Sequence, residues 1–525
     1  MADLLIHGGT VVDGTGAPAR RADVLVDGTR ITGVVDGGLA ETDRTEAGTV
    51  VDATGRLVFP GFVDTHIHGD AAILTDPAAQ LASLRQGVTT WILGQDGVSF
   101  APGGSETAGY AGRYFGAING PAPEPLASGC TVGELLAAYD GAAAVNAAYL
   151  IPAGTVRAEV IGLTGRRADD GDVAAMRALV EQGLADGAVG LSTGLDYVPG
   201  RFADAAEIGA LCGPVAAAGR PYVSHIRYYE ARTDEGLAEV RRIHAASGVA
   251  PHVSHFHGPG RWLHDMVEDM RSDGIDTTYD SYPYVRACSI IAMLLLPAWV
   301  QEGGIDAALE RLSDPAVLAR LRSDWFPTVS DVVPRVRLAY VAAPEWSWSE
   351  GMPLDAAAAR ARMPVGDFVC TILRDSALVA SGVFGQPRSG EADLELLLRS
   401  DAHMGGSDGI PLGGHPHPRF WGAFARFLAH HTRDRGDWTW EQAAVHLASR
   451  PAQRFGLAGR GSVRSGAVAD LVTVDPQRVA DRATYEDPKR LASGIDDVIV
   501  SGAPVLRGGA LTGTRAGRAL RFGAA

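Results

Sequence analysis

Residues 60–68 read Pro-Gly-Phe-Val-Asp-Thr-His-Ile-His, and this stretch decides the fold. It is an apolar run that ends in polar residues, among them His66 and His68. Seven more runs of this kind follow along the middle of the chain, and segments with helical spacing separate them. Eight β–α units predict a (β/α)8 TIM barrel of the α/β class rather than an open sheet. The predicted strands are Gly61–His68, Thr89–Asp96, Ala147–Pro152, Ala188–Thr193, Tyr222–Arg227, Pro251–His257, Ile275–Tyr282 and Ala402–Asp408.

The two ends of the chain differ from the middle. Both carry short strand-like runs beside glycines, Leu4–Ile6 and Asp23–Val26 near the N-terminus and Ala469–Val474 and Asp497–Val500 near the C-terminus. We therefore predict a small β-sandwich built from residues 1–57 and 461–525, with the barrel at residues 58–460. The long interval between strands seven and eight predicts an inserted subdomain, at about residues 289–398, that lies over the site.

Composition and charge exclude several classes of function. The chain has 525 residues, of which 46% are hydrophobic and 21% are charged, as expected for a globular enzyme. Its net charge of −16 argues against a nucleic-acid partner and against an anionic membrane surface, which both attract basic proteins. We expect no signal peptide and no membrane helix. The cysteines form no Cys-x-x-Cys pair, which favours free thiols in a cytoplasmic protein. They are Cys130, Cys212, Cys288 and Cys370.

Histidines and an aspartate stand at the ends of several predicted strands. Because strand side chains alternate, we expect His66 and His68 to share one face and to hold a divalent ion. Alone, this pair equally fits a chance feature of a polar strand edge. Strands five and six end in His225 and His255, however, and strand eight ends in Asp408. Barrel active sites lie at these strand ends, so the set predicts a metal centre.

Longer stretches carry a resemblance to a known family. They are Pro60–His68, Gly190–Gly200, Tyr282–Tyr284, Gly406–Gly409, His415–Arg419, Pro451–Leu457 and Gly466–Val472. These stretches are similar to those of the N-acyl-D-amino-acid deacylases (D-aminoacylases) of the amidohydrolase superfamily, over nearly the whole chain. The resemblance implies a barrel with a small β-sandwich, one or two zinc ions and hydrolysis of a small-molecule N-acyl-D-amino acid.

The chain departs from the family pattern at three positions. Many members bridge two metals with a carboxylated lysine, but the only lysine here is Lys489, in the C-terminal β segment. The D-aminoacylases carry a cysteine in the turn after strand two, and here that turn reads Gly94-Gln-Asp96-Gly97. We expect Asp96 to be a metal ligand; the alternative is a turn residue that caps the next helix. The family lysine after strand six is His257 here, which is either a substrate contact or a structural histidine.

The resemblance also implies a division of roles. Asp408 would accept a proton from the attacking water, which the metal activates, and pass it to the departing amine. Arg419 would bind the substrate carboxylate, because a guanidinium matches a carboxylate in two hydrogen bonds. Weaker candidates for the same pocket are Tyr284, Ser289 and Arg227. The tighter ion would lie between Asp96, His225 and His255, and a second, weaker ion at His66 and His68.

Three other functions stay open from the sequence. Gly190–Gly194 matches Gly-x-Ser-x-Gly, the nucleophile turn of serine hydrolases, although the residues that follow disfavour the helix which that turn needs. A cyclic-amide hydrolase of the dihydroorotase or hydantoinase kind is the main metal-dependent rival. An inactive homologue that acts as a scaffold is the third. The oligomeric state is not predicted.

Overall fold

The middle of the chain forms a closed barrel of eight parallel strands in a computed structural model, which describes residues 2–39 and 47–524. Residues 1 and 40–46 of the predicted N-terminal β segment, and residue 525 of the C-terminal one, lie outside those ranges. The strands neighbour one another in chain order, and the Asp408 amide donates to the His66 carbonyl at 2.7 Å to close the barrel. The predicted (β/α)8 fold is confirmed. The strands are Phe62–Asp64, Val88–Leu93, Asn146–Pro152, Gly190–Gly194, Pro221–His225, Ala250–Val253, Thr278–Ser281 and His403–Gly405.

Helices surround the barrel and follow its strands. Several begin at a capping aspartate: Asp76, Asp169 and Asp204 each accept a hydrogen bond from an amide of the first turn. The helix after strand eight continues as a π-helical segment. The outer helices are Pro77–Leu84, Ser105–Tyr114, Val132–Tyr139, Ala153–Ile161, Asp170–Ala185, Ala205–Ala217, Thr233–Ser247, Gly260–Ser272, Glu391–Leu398 and Arg419–Arg426, which the π segment Phe427–Asp434 extends; Trp440–Ala444, Val445–Ser449 and Arg450–Arg454 follow.

Strands from both termini, which the sequence analysis assigned to a small β-sandwich, join in one sheet. Leu57–Pro60 pairs antiparallel with Leu471–Val474 and so joins the two ends of the chain. The strands make a single hydrogen-bonded sheet of nine, with one hydrophobic cluster that draws side chains from both termini. The nine strands are Leu4–Val11, Arg20–Asp27, Arg30–Asp36, Thr49–Asp52, Leu57–Pro60, Leu471–Val474, Ile495–Val500, Ala503–Arg507 and Ala510–Leu511.

The inserted subdomain follows strand seven and has its own sheet. Arg286–Ile290 and Val336–Val341 pair antiparallel on either side of Ala380–Gly385. Its ends differ from the predicted 289–398. The sheet begins at Arg286, and helix Glu391–Leu398 belongs to the outer layer of the barrel, where Asp393 accepts a hydrogen bond from the Gly260 amide at 2.7 Å. The helices of the insertion are Ile291–Leu295, Ala298–Gln301, Ile305–Ser313, Pro315–Arg320, Leu354–Arg360 and Val365–Asp375.

The C-terminal tail closes the end of the barrel at which the strands begin. The Leu520 amide donates to the Ala147 carbonyl, at the start of strand three, at 2.7 Å. Leu520 and Phe455 pack with apolar side chains of the strands in one buried cluster. This end is therefore filled, which leaves the opposite end for a site.

Across the described ranges, no helix combines the length and the apolarity needed to cross a membrane. The four cysteines are free thiols, as expected.

Candidate metal centre and active site

The histidines predicted at strand one lie just beyond it. The strand ends at Asp64, and the chain then bends, with the His66 amide donating to the Asp64 carboxylate at 3.3 Å. The sequence analysis expected strand alternation to put His66 and His68 on one face. Both residues lie after the end of the strand, so alternation does not determine their directions. Both rings nevertheless face Asp96: Nε2 of His66 lies 3.5 Å and Nε2 of His68 lies 3.8 Å from its carboxylate oxygens.

Asp96 lies in a tight turn after strand two. It has a φ of 55°, in the left-handed region, which aspartate tolerates better than most residues, and Gly94 and Gly97 beside it also have positive φ. The Ser192 hydroxyl donates to the Gly94 carbonyl and accepts from the Gly97 amide, so strand four holds the turn. The Asp96 carboxylate is 3% exposed, and its Oδ1 has no hydrogen-bond partner among the described residues. It points into the site instead of capping a helix.

Two further histidines approach the same carboxylate. Nδ1 of His225 lies 3.6 Å and Nε2 of His255 lies 3.8 Å from Asp96, and these two nitrogens are 3.0 Å apart. The centre therefore contains two overlapping sets of three ligand atoms, each set lying within 4.8 Å, and Asp96 is common to both. One set adds His66 and His68, and the other adds His225 and His255.

The donor atoms fit a divalent ion. Neither ring nitrogen of the fully buried His66 has a hydrogen-bond partner in the described parts of the chain. A buried polar atom without a partner costs free energy, which a bound cation would recover. The charges around His66 also favour a cation. Burial opposes the protonated form of His66, but the carboxylates of Asp280 and Asp96 raise its pKa to about 9. The surrounding carboxylates thus favour positive charge at this point.

Asp408 lies beside the first set of ligands. Its Oδ1 is 3.3 Å from Nε2 of His68, and its Oδ2 is 2.8 Å from the guanidinium of Arg419. Burial alone would raise the pKa of Asp408, but the charge of Arg419 and the hydrogen bond from His68 lower it to about 2. Asp408 is therefore ionised at neutral pH, as a proton acceptor must be.

Three residues of the centre share an unusual backbone conformation. Asp96, His255 and Asp408 have φ values of 55°, 35° and 47°. Non-glycine residues in this region cost about 1–3 kcal/mol each and persist where the surroundings hold them. Their concentration at one point indicates that the fold fixes the directions of these side chains.

Three polar residues that the sequence analysis missed orient the histidines. Asp280 Oδ2 lies 3.6 Å from Nδ1 of His66. Asn119 Oδ1 lies 2.9 Å from Nδ1 of His68, and Asp196 lies 3.5 Å from Nε2 of His225. Such partners fix the ring orientation of metal-binding histidines. Asp280 lies at the end of predicted strand seven, and Asp196 lies within the Gly190–Gly200 stretch that carries the resemblance, so both positions were usable signals. Asn119 lies in a loop, where no pattern marks it.

A cavity of about 290 Å³ opens beside the centre. His68, Asp96 and Asp408 line its floor. The insertion supplies much of the opposite wall, with the apolar side chains of Met293, Leu294, Val332 and Phe384. Two arginines that the sequence analysis did not select, Arg201 and Arg335, also line it. The insertion lies over the site, as expected.

Two of the predicted substrate contacts line this cavity. The Ser289 hydroxyl lies 2.8 Å from the Tyr197 hydroxyl. His257 stacks on Tyr229 at 4.8 Å, and its Nδ1 lies 2.7 Å from the His255 carbonyl. Burial, together with the neighbouring His255, lowers the pKa of His257 to about 3, so this residue is neutral and does not replace the charge of the family lysine.

Arg419 lies directly behind the cavity wall. It is fully buried, stacks over the Tyr282 ring at 4.5 Å and donates to the Cys288 carbonyl at 3.4 Å. Its Nε and Nη1 have no hydrogen-bond partner within the described ranges. Arg419 is not among the described residues that line the cavity, but it contacts three that are, Tyr282, Cys288 and Asp408.

Tyr284 and Arg227 are not among the described residues that line the cavity. Tyr284 packs against His417 at 5.3 Å, and Tyr282, two residues earlier, is the tyrosine that lines the cavity. Arg227 pairs with Glu239 at 3.0 Å and donates to the carbonyl of Ala203 at 2.7 Å. Its guanidinium is therefore engaged in holding the loop after strand four.

The Gly-x-Ser-x-Gly motif is not a nucleophile turn. Ser192 is fully buried within strand four, and a 3-10 turn at Gly200–Phe202, rather than a helix, follows the strand. Its hydroxyl is bonded to the turn that carries Asp96. The serine-hydrolase interpretation is therefore wrong at this motif.

Comparisons with known proteins agree with this arrangement. An amidohydrolase family model matches residues 49–506. The D-aminoacylase of Alcaligenes xylosoxydans xylosoxydans is 35% identical over 99% of this chain and 97% of its own. The N-acyl-D-glutamate deacylase of Bordetella bronchiseptica, solved with zinc and a phosphonate inhibitor, is 30% identical with a TM-score of 0.83 over 99% of both chains. The D-hydantoinase of Thermus sp. shares the fold alone, with 17% identity and a TM-score of 0.57 over 98% of both chains. The resemblance inferred from the sequence is confirmed, and the chain belongs to the amidohydrolase family.

Proposed function

We propose that this protein is a zinc-dependent deacylase that hydrolyses the amide bond of N-acyl-D-amino acids. The observation that carries the proposal is the shared position of Asp96 between two histidine pairs, with the ionised Asp408 beside them. The similarity to a D-aminoacylase and to an N-acyl-D-glutamate deacylase over the whole chain supports the choice of substrate class.

Asp96, His225 and His255 would hold one ion, and His66 and His68 with Asp96 would hold a second, weaker one. A divalent ion bound there lowers the pKa of a water molecule and polarises the amide carbonyl. Imidazole and carboxylate ligands suit zinc, at ligand distances of about 2.0–2.2 Å. The insertion and the loops keep this centre buried, so its charges act with little screening by solvent.

Asp408 would move the proton. Arg419 holds its Oδ2, which leaves Oδ1 directed toward His68 and the cavity. Oδ1 can accept the proton of the attacking water and then deliver it to the nitrogen of the departing amine. The low pKa of Asp408 makes it a weak base and, once protonated, a strong acid, so the second transfer is favourable.

The substrate carboxylate would lie at the wall formed by the start of the insertion. Ser289 lines the cavity on this side, and Arg419, whose Nε and Nη1 have no partner among the described residues, contacts the lining residues Tyr282 and Cys288. His257 lines the same cavity as a neutral contact. The apolar side chains of the insertion would then contact the acyl group or the amino-acid side chain.

The cyclic-amide hydrolase is the second candidate. Its usual bridging lysine has no counterpart here, because Lys489 lies 5.9 Å from the Trp421 ring on the outer helix after strand eight. Asp96 occupies the shared ligand position instead. This arrangement favours an open-chain N-acyl-amino acid over a cyclic amide. The D-aminoacylase and the N-acyl-D-glutamate deacylase are also more similar to this chain than the hydantoinase is.

A substrate panel tests the proposal. The zinc-loaded protein would be assayed on matched N-acetyl-D- and N-acetyl-L-amino acids and on a cyclic imide. We expect release of the D-amino acids, with Asp408→Asn abolishing it. Hydrolysis of only the L series or only the cyclic imide would reject the substrate class. If neither the wild type nor Asp408→Asn hydrolyses any of these compounds, the result would favour the scaffold alternative.

A further inference from the structure

A second group of metal-ligating side chains lies on the outer helices, apart from the strand ends. His430 and His431 belong to the π-helical segment Phe427–Asp434, which extends the helix after strand eight. Glu391 is the first residue of helix Glu391–Leu398, which follows the insertion. One ligand atom from each of the three side chains lies within 4.8 Å of the other two.

His431 is prepared as a ligand. Its ring is fully buried, and its Nδ1 lies 2.9 Å from the Asp437 carboxylate. Its Nε2 is buried without a hydrogen-bond partner in the described part of the chain. A carboxylate that holds one ring nitrogen while the other stays free is the usual arrangement of a metal-binding histidine. An unpartnered buried nitrogen otherwise costs free energy, so its presence here calls for a ligand.

The other two side chains can complete the site. The His430 ring lies 4.9 Å from the His431 ring, and π-helical turns such as this one are frequent at functional sites. Donors around a tetrahedral zinc ion lie about 3.3–3.6 Å from one another. Glu391 is exposed and His430 is partly exposed, so both side chains have room to rotate toward an ion.

One neighbouring cation competes for Glu391. Nη2 of Arg426 lies 3.5 Å from its Oε1, in an exposed contact. Exposed ion pairs of this kind contribute little to stability, far less than a metal–ligand bond does. Arg426 also lies 3.5 Å from Asp481 and keeps that partner when Glu391 moves.

We propose that Glu391, His430 and His431 form a separate divalent-metal site that accepts zinc. Two imidazoles and one carboxylate match the preferences of that ion. The ion would tie helix Glu391–Leu398, which follows the insertion, to the helix after strand eight, and its role would be structural. The site is independent of the proposed deacylase activity.

Metal content measures this site directly. The wild type, His430→Ala and Glu391→Gln would be dialysed against the same chelator-buffered zinc, and bound zinc per chain would be determined. We expect the wild type to hold one zinc more than either variant, with equal deacylase activity in all three. Asp434→Asn, a carboxylate of the same π segment outside the group of three, serves as the control and should match the wild type.

A second readout covers the case of partial occupancy. Zinc should raise the thermal midpoint of the wild type and of Asp434→Asn more than that of His430→Ala. These variants change exposed or partly exposed side chains, so they should fold; His431→Ala is avoided because it empties a buried position. Equal zinc content together with equal thermal shifts in the wild type, His430→Ala and Glu391→Gln would overturn the proposal.

Discussion

The guanidinium of Arg419 lies 2.8 Å from Oδ2 of Asp408 and holds that carboxylate in its ionised form. The other oxygen of this carboxylate, Oδ1, faces Nε2 of His68. Arg419 thus contacts both the proposed proton acceptor and, through the Cys288 carbonyl and the Tyr282 ring, the wall of the cavity. Its effect on catalysis can be separated from its effect on substrate binding.

Replacing Arg419 should shift the pH dependence of the reaction. In Arg419→Gln the positive charge is lost, so the pKa of Asp408 rises from about 2, by roughly 1–3 units for the loss of such a neighbour. Because Asp408 must be ionised to accept a proton, activity is then lost at a higher pH on the acid side. The profile of kcat/KM against pH measures this, with Arg419→Lys as the variant that keeps the charge. A higher KM with an unmoved acid limb would show that Arg419 acts on the substrate alone.

Asp280 should position the metal ligands. Its Oδ2 lies 3.6 Å from Nδ1 of His66, and its Oδ1 accepts from the His255 amide at 2.7 Å, so it touches a member of each ligand set. Loss of such a partner typically lowers metal affinity about 10–100-fold. We expect Asp280→Asn to show this loss in a zinc competition with a chelator. Asp273→Asn, an exposed change shortly before strand seven, is the control, and equal affinities would refute the role of Asp280.

Asp96 should set the choice of metal. A carboxylate is a hard ligand, whereas a thiolate is soft and more selective for zinc. Asp96→Cys should therefore bind zinc in stronger preference to manganese than the wild type does. Asp96→Asn removes the charge without adding a soft ligand and should weaken the binding of both ions. An unchanged zinc-to-manganese ratio in Asp96→Cys would place Asp96 outside the coordination sphere.

The two ligand sets should differ in importance. If the tighter ion lies between Asp96, His225 and His255, then His225→Ala loses more bound zinc and more activity than His66→Ala. Metal analysis of both variants at the same buffered zinc concentration measures the difference. Equal losses would contradict two sites of unequal affinity.

The sequence predicted the barrel well because its signals are local. Each predicted strand overlaps an observed one, since an apolar run with a polar end has the same meaning wherever it falls in the chain. The strand-end position of His225 follows directly from this pattern, and Asp408 lies three residues beyond the end of strand eight. Asp96 was found through the turn that the family resemblance brought into view.

Other parts of the site depend on tertiary packing. Asn119 and Asp196 reach the histidines from loops, whose paths a local pattern does not define. Tyr282, directly after strand seven, lines the cavity, whereas Tyr284 packs against His417. Arg227 stands two residues after a ligand but turns to Glu239 and nearby carbonyls. Sequence position alone does not distinguish these directions.

The central claim is that deacylation of N-acyl-D-amino acids depends on metal held around Asp96. The most direct test is the rate of D-amino acid release from an N-acetyl-D-amino acid by the chelator-stripped protein, followed through stepwise return of zinc. We predict no release without metal, a rise as zinc is added, and no recovery in Asp96→Asn at the same zinc concentrations. Full activity in the stripped protein, or full recovery in Asp96→Asn, would contradict the claim.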